Sequence, residues 1–152
     1  MCSSDLYQIR VVEGAATVWD SGRVASEQSL HLAYAGQPLR SATRYSWQVR
    51  VWDAKGAASA WSEPAWFEMG LLGPEDWKAS WIEPDLPEDP KASNPSPMLR
   101  REFRLNGAVE RARAYVTSHG LYEFPLNGRR VGDQLFTPGW TSYNKQLQYQ
   151  TY

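Results

Sequence analysis

The sequence predicts an all-β protein of two incomplete β-sandwiches joined by a proline-rich linker. Three observations support this fold class. Apolar and polar residues alternate in several short segments, which is typical of half-buried strands. Gly, Pro, Asn and Asp residues that favour turns separate these segments. No segment of useful length carries the periodicity of an amphipathic helix.

Composition narrows the function classes. The chain has 152 residues, with 8 Trp and 8 Tyr but a single Cys, a profile typical of all-β secreted or periplasmic proteins without disulfides. A formal net charge of −1 gives no reason to expect nucleic acid as a partner. No apolar run approaches the roughly twenty residues that span a bilayer, so no membrane partner is expected either.

The first six residues, MCSSDL, lack the basic and apolar regions of a signal peptide. The DNA string TGC-TCT-TCC-GAT-CT, the end of a widely used sequencing adapter, translates as Cys2 to Leu6. Our hypothesis is that residues 1–6 are not native, so they are excluded from fold reasoning and Cys2 is given no chemistry. The compartment stays open because the native start is then unknown.

Residues 7–72 are predicted to form the first sandwich, without its first strands. Tyr7 begins a strand, and TVWDSG (17–22) is a second strand ending in a turn. In that turn Asp20 can bond its own downstream backbone, and Gly22 can take a positive φ. A later loop, DAKG (53–56), leads into a return strand in which Pro64 indicates an edge or a bulge.

The segment YSWQVRV (45–51) is the clearest strand. One face carries Tyr45, Trp47, Val49 and Val51 by alternation. Tyr45 follows Leu39 by six residues and opens the strand, which predicts a tyrosine corner, where the phenol bonds the backbone a few residues upstream. Residues 7–72 are therefore predicted to be immunoglobulin-like, of the fibronectin type III kind.

Residues 73–97 form the predicted linker, where dense proline disfavours helix and sheet and favours an extended, semi-rigid chain. We expect Trp77 and Trp81 to anchor its start on the first sandwich. The linker's prolines and acids are Pro84, Pro87, Pro90, Pro95, Pro97, Glu83, Asp85, Glu88 and Asp89.

Residues 98–152 are predicted to begin the second sandwich. LRREFRL (99–105) and RARAYVTSHG (111–120) alternate as strands. Asn127-Gly128 predicts a two-residue hairpin turn of type I′, because both central residues of that turn need positive φ. Pro138-Gly139 predicts a further turn that leads into Trp140.

Few residues suggest catalysis or metal binding. His31 and His119 are far apart and have no Cys partner, so a structural or surface role is expected rather than a zinc site. No phosphate-binding loop or nucleophile elbow is present in the sequence. The acids of the second block are read as solvated strand residues rather than a glycosidase pair: Glu102, Glu110, Glu123 and Asp133.

Trp140 and Tyr143, close in sequence to the Asn127-Gly128 hairpin and Asp133, allow an aromatic platform with a polar rim. Sugar rings have an apolar C–H face that stacks on aromatic rings, while amides and carboxylates bind their hydroxyls. The alternative is that Trp140 is a core residue and the turn is only structural. Both interpretations remain open from sequence.

The segment GLYEFPLNGRRVGDQLFTPGWTSYNKQLQYQTY (120–152) closely resembles the N-terminal β-sandwich domain of bacterial α-L-rhamnosidases, glycoside hydrolase family 78. The shared motifs are GLYE at 120–123, NG at 127–128, VGD at 131–133, PGWT at 138–141 and YQTY at 149–152. VWDSGRV, YSWQVRVWD and FEMGLLGPEDWKASWI resemble the fibronectin-like module and linker that precede this domain. Pro125 departs from the family pattern and suggests an edge or bulge.

The resemblance implies a parent enzyme that hydrolyses terminal non-reducing α-L-rhamnose from glycosides or polysaccharides with inversion. Its catalytic carboxylates would lie in a downstream helical barrel, so no catalytic residue is assigned here and the 152 residues are expected to be inactive. The second domain, a truncated jelly-roll-like sandwich of the carbohydrate-binding type, would support the barrel and assist recognition. The candidate sugar-binding residues are Asn127, Asp133, Trp140 and Tyr143.

No cofactor or metal-binding residue is assigned, although the resemblance allows calcium in the complete N-terminal domain. The alternative function is a non-catalytic carbohydrate-binding protein that carries a fibronectin-like module. Neither the aglycone nor the linkage that the parent prefers follows from these residues.

Overall fold

The computed structural model describes residues 6–87, 89 and 91–152. The first five residues, with Cys2, and Glu88 and Pro90 of the predicted linker lie outside the described residues. The chain divides into two compact units after Ser80, within the segment predicted as the linker. The described residues form strands and one 3₁₀ turn, so the all-β prediction is confirmed. None of their helical segments has the length and apolar character needed to cross a membrane.

The first unit is a five-stranded antiparallel sheet. It contains β1 (Leu6–Glu13), β2 (Ala16–Asp20), β3 (Val24–Ala25), β4 (Arg44–Val51) and β5 (Ala65–Glu68). The strand order is β2-β1-β4-β5, and β3 pairs with β1. Leu6, the last residue of the segment predicted to be non-native, is the first residue of β1 and pairs with Ala25. Pro64 directly precedes β5, which is an edge strand as expected.

The two predicted turns of this sheet are confirmed. After β2, the Gly22 N–H donates to Asp20 Oδ1 at 2.8 Å, and Gly22 has a φ of 62°. After β4, Asp53 Oδ1 accepts the N–H groups of Lys55 at 2.9 Å and Ala57 at 2.8 Å. In both turns a short carboxylate satisfies backbone donors that the strands leave behind.

Tyr45 is the anchor of the first unit. Its side chain is only 1% exposed, its ring stacks on Phe67 at 5.4 Å, and its hydroxyl accepts the Arg40 N–H at 2.9 Å. The predicted tyrosine corner is therefore confirmed. The phenol fixes the loop before β4 and satisfies a backbone donor that is partly withdrawn from water.

The apolar face of β4 is only partly covered by the described residues. Tyr45 is buried, but Trp47 is 38% and Val51 46% exposed. Val49, between them on this face, is half-buried. Burial therefore varies from residue to residue along this face. Trp52, the next residue on the opposite face, is 8% exposed.

That opposite face carries an arginine–tryptophan ladder, which we define as Arg10, Arg23, Arg50, Trp52 and Trp61. Arg23 and Arg50 lie over the Trp52 ring at 4.9 and 5.0 Å, and Arg50 and Arg10 lie over the Trp61 ring at 4.7 Å each. Each such contact is worth about 0.5–2 kcal/mol. Guanidinium–indole stacking therefore takes the place of aliphatic packing on this face.

A 3₁₀ turn, Pro74–Asp76, follows the sheet. The Asp76 carboxylate accepts hydrogen bonds from the Ser41 hydroxyl and from the N–H groups of Gly73 at 3.0 Å and Leu72 at 3.2 Å. The Ser41 hydrogen bond, followed by that of Gly73, lowers the pKa of Asp76. This carboxylate ties the end of the first unit to the loop that carries the tyrosine corner.

The second unit holds two short antiparallel pairs. They are formed by β6 (Tyr115–Val116) with β9 (Gln150–Thr151), and β7 (Pro125–Leu126) with β8 (Arg129–Arg130). The turn between β7 and β8 has φ of 50° at Asn127 and 75° at Gly128, so the predicted hairpin is confirmed. Pro125 lies at an edge, since its sheet has only two strands.

The predicted strand at 99–105 is wrong for the described structure. Leu99, Phe103 and Leu105 are 50%, 65% and 63% exposed, and no described segment pairs with them. In 111–120 only Tyr115–Val116 form a strand. Alternation indicates which face a strand would bury, but a strand also needs a neighbour that completes its backbone hydrogen bonds.

The Tyr45→Phe variant tests the tyrosine corner. Removing the hydroxyl leaves the Arg40 N–H without its acceptor, so we expect the free energy of unfolding to fall by about 1–3 kcal/mol. Urea unfolding followed by tryptophan fluorescence measures the change. Tyr34→Phe is the matched control, because the Tyr34 hydroxyl donates to the Gln37 carbonyl in an exposed setting and its loss should cost less. Equal losses in the two variants would contradict the anchoring role.

The Ser41→Ala variant tests the Asp76 contact. A carboxyl whose pKa is lowered by folding adds stability above its unfolded value of 3.8, and that stability is lost as the pH falls through the folded value. Removing the Ser41 donor should raise the pKa of Asp76 towards 3.8, as read by NMR titration of its carboxyl carbon. Ser62→Ala, which alters a hydroxyl on the β4–β5 connection, should leave that titration in place. An unchanged Asp76 titration in Ser41→Ala would refute the assignment.

Candidate functional site

Four aromatic rings of the second unit lie in contact, and we call them the aromatic row: Trp81, His119, Tyr143 and Trp140. Tyr143 is half-buried and the other three are exposed. The ring centroids are 4.7 Å apart for Trp81 and His119, 5.0 Å for His119 and Tyr143, and 6.1 Å for Tyr143 and Trp140. The inner pair is stacked, with 12° between its planes, and each outer ring is tilted by 41°.

A hydrogen bond fixes the inner pair of the row. The Gly120 N–H donates to the Tyr143 hydroxyl at 2.8 Å, which places His119, the residue before Gly120, against the Tyr143 ring. The Ser118 hydroxyl donates to the Gly120 carbonyl at 2.9 Å. Gly120 has a φ of 95°, where a side chain would strain the backbone, so the loop needs glycine here.

Tyr143 is presented by a tight turn. The N–H groups of Lys145 and Gln146 donate to the Ser142 carbonyl at 2.7 and 3.0 Å, and the Thr141 hydroxyl donates to the Gln146 carbonyl at 2.6 Å. Trp140 precedes this turn by one residue, which brings its ring beside Tyr143. The same turn carries the exposed polar residue Asn144.

Thr137, three residues before Trp140, is hydrogen-bonded to Tyr122. Thr137 is 5% exposed, its carbonyl accepts the Tyr122 N–H at 2.9 Å, and its hydroxyl donates to the Tyr122 carbonyl at 3.2 Å. Burial, followed by the hydrogen bond between the hydroxyls of Tyr122 and Tyr152, raises the pKa of Tyr122, so it stays a neutral phenol. Pro138, also buried, follows Thr137 through a cis peptide and leads to Trp140.

The two ends of the row are open to solvent. Trp140 is 83% and Trp81 63% exposed. The interpretation of Trp140 as a core residue is therefore wrong for the described structure. Indole rings that present apolar surface beside amide and hydroxyl groups form the kind of surface that stacks on the C–H face of a sugar.

The structure joins two of the four predicted site residues. Trp140 and Tyr143 are in ring contact. Asn127 lies in the β7–β8 turn and Asp133 in the exposed loop after it, and no described ring contact or hydrogen bond joins either of them to the row. As sugar-binding residues, all four stay predictions.

Sequence reasoning missed Trp81 and His119 as members of the site. Trp81 was expected to anchor the linker on the first sandwich, and instead its ring contacts His119 within the second unit. His119 is exposed, in accord with the surface or structural role expected for it. The residues of the row come from three segments separated by more than twenty positions, and no local pattern links them.

Among the described residues, no group of three or more His, Cys, Asp or Glu side chains is placed to hold a metal ion. Calcium in the complete domain therefore rests on the resemblance alone. A shallow cavity in the first unit is lined by Leu39, Ser41, Leu72 and Asp76, among others. In this cavity the Ser41 hydroxyl already donates to the Asp76 carboxylate. We therefore interpret these two residues as a structural contact rather than a reactive site.

Each of the two units matches a known family model. Residues 3–73 match the model described as the Rha78A-like N-terminal immunoglobulin domain. Residues 107–152 match the model described as the α-L-rhamnosidase N-terminal domain. The second match contains three residues of the aromatic row, whereas Trp81 precedes it.

Individual relatives agree with these matches. An α-L-rhamnosidase of Formosa agariphila is 37% identical across 92% of this chain and 17% of its own length. One of Streptomyces avermitilis is 38% identical across 82% of this chain and 14% of its own length. The chain thus spans less than a fifth of these relatives.

Solved structures give the same result. The α-L-rhamnosidase from Dictyoglumus thermophilum is similar with a TM-score of 0.81 and 28% identity, over 99% of this chain and 19% of that one. The Streptomyces avermitilis α-L-rhamnosidase complexed with L-rhamnose is similar with a TM-score of 0.50 and 49% identity, over 54% of this chain and 8% of that one.

The Tyr143→Phe variant tests how the row is held. It keeps the ring but removes the acceptor of the Gly120 N–H, so this amide should exchange with solvent about tenfold faster or more, as expected for a lost hydrogen bond of about 1.4 kcal/mol. Hydrogen exchange by NMR measures it. Tyr149→Phe, which alters a tyrosine outside the row, is the control and should leave the Gly120 exchange rate as it is. Unchanged exchange in Tyr143→Phe would show that the bond does not hold the loop.

Proposed function

The chain belongs to the α-L-rhamnosidase family, whose N-terminal domains it carries, and from that premise we propose that it is the non-catalytic N-terminal part of such an enzyme. The whole protein would hydrolyse terminal non-reducing α-L-rhamnose from glycosides or polysaccharides. Within it, the first unit would give structural support, and the second would help to recognise the substrate.

Two carboxyl groups of the first unit, those of Asp20 and Asp76, are unsuited to the acid role of a glycosidase. An inverting glycosidase needs a general acid with a raised pKa and a general base about 6.5–9.5 Å away. Asp20 and Asp76 instead have lowered pKa values, because hydrogen bonds from Gln8 and Ser41, respectively, favour their charged forms. Carboxylates stabilised in this way are poor proton donors at neutral pH.

The observation that carries the recognition role is the exposed Trp140 ring beside Tyr143. Rhamnose is an uncharged 6-deoxy sugar, so one of its faces and its methyl group present C–H bonds to a ring. Stacking there removes apolar surface from water on both partners. The Thr141 and Asn144 side chains beside Trp140 and Tyr143 would supply hydrogen bonds to the sugar hydroxyls.

The first unit suits support because three of its tryptophans, Trp52, Trp61 and Trp66, are covered by arginines. Trp52 and Trp61 each carry two arginine guanidiniums, and Arg44 lies over Trp66 at 4.0 Å. These indoles are less free to stack on a sugar than Trp140. We therefore assign the arginine-covered tryptophans to support and the exposed Trp140 to recognition.

Titration of the 152-residue chain with L-rhamnose, followed by NMR, tests this function. We expect saturable shifts at Trp140 and an affinity about tenfold weaker in Trp140→Ala, since about 50 Å² of lost apolar contact amounts to about 1.3 kcal/mol. The matched control is Trp66→Ala, which removes a 56% exposed tryptophan from the first unit and should bind like the parent chain.

The same samples separate binding from catalysis. When the samples are incubated with p-nitrophenyl α-L-rhamnoside, we expect no release of nitrophenol. The catalytic carboxylates are proposed to lie in the downstream barrel of the parent enzyme. Turnover that survives purification would overturn the non-catalytic assignment. Equal affinity of Trp140→Ala and Trp66→Ala for L-rhamnose would remove the recognition role.

A further inference from the structure

We infer that the aromatic row has a second stacking position at Trp81 and therefore takes a rhamnose-containing oligosaccharide rather than a single sugar. The inference rests on the proposed recognition role of the second unit and extends it to a segment outside the matched domain, residues 107–152. Trp81 would be a binding residue, and the His119–Tyr143 pair would be the spacer between the two positions.

The geometry of the inner pair favours binding at the ends. His119 and Tyr143 are stacked, with 12° between their planes and 5.0 Å between their centroids, so each covers one face of the other. The largest free ring surfaces then belong to the outer members. Trp81 is 63% and Trp140 83% exposed, although each already contacts an inner ring.

The order of the rings along the row bears on whether the ligand has one sugar residue or several. Two rings separate Trp81 from Trp140, and successive centroids are 4.7, 5.0 and 6.1 Å apart. Trp81 and Trp140 contact different inner rings, so we expect each indole to stack on a different sugar residue. A short glycan chain can place one residue on each indole, and its second contact is then intramolecular and gains from high effective concentration.

The row is fixed before a ligand arrives. The Gly120 N–H bond to the Tyr143 hydroxyl joins the two inner segments, and the 142–146 turn fixes the position of Tyr143 next to Trp140. Because the inner rings that the indoles contact are held in place, the ordering cost of binding a chain is lower.

The test compares L-rhamnose with an α-linked rhamnotriose on the 152-residue chain by isothermal titration calorimetry. The trisaccharide should bind at least about tenfold more tightly than the monosaccharide to the parent chain. Trp81→Ala should lose that advantage, so that its affinities for the trisaccharide and for L-rhamnose become similar. Trp140→Ala should weaken the binding of both sugars, and Trp81→Phe, which keeps an aromatic face, should retain most of the trisaccharide advantage.

The outcomes separate this inference from the proposed function. If the parent chain binds both sugars equally, or if Trp81→Ala retains the trisaccharide advantage, the second position is refuted while recognition through Trp140 stands. If the parent chain binds neither sugar, both proposals are overturned. Trp66→Ala again serves as control, and circular dichroism of each variant shows that lost binding is not lost folding.

Discussion

Both units depend on the same kind of interaction, a hydrogen bond that a loop N–H donates to a tyrosine hydroxyl. In the first unit the Tyr45 hydroxyl accepts from Arg40, and the ring beneath it is the most deeply buried side chain described. In the second unit the Tyr143 hydroxyl accepts from Gly120. Short strands leave many backbone donors without a ladder partner, and a phenol can satisfy one of them while its ring packs. In the first unit that ring builds the core, and in the second it is part of the aromatic row.

Local chemistry was predictable from the sequence, and long-range pairing was not. The turns at Asp20 and Asp53, the tyrosine corner and the Asn127-Gly128 hairpin follow from residues within a few positions of one another, and the structure contains all of them. The strand at 99–105 fails because alternation does not specify a partner. Similarly, Tyr143 and Trp140 could be proposed together, whereas Trp81 and His119 join them only through folding.

The two units use aromatic residues in opposite ways. Indoles of the first unit are stacked with guanidinium groups and stabilise a small sheet that buries few apolar side chains. The row of the second unit leaves indoles exposed at both ends. A family likeness that covers less than a fifth of each relative identifies the domains, but it does not distinguish these two roles. The contacts of each ring make that distinction.

The arginine–tryptophan ladder has an evolutionary consequence. Arg50 lies over both Trp52 and Trp61, so its loss would uncover part of two indoles at once. The effect on stability of substituting one residue of the ladder therefore depends on the residues that it contacts. Lysine cannot replace it without cost, because an ammonium group lacks the planar surface that stacks on an indole. We therefore expect substitutions among homologous sequences to be correlated, rather than independent, at positions 10, 50, 52 and 61.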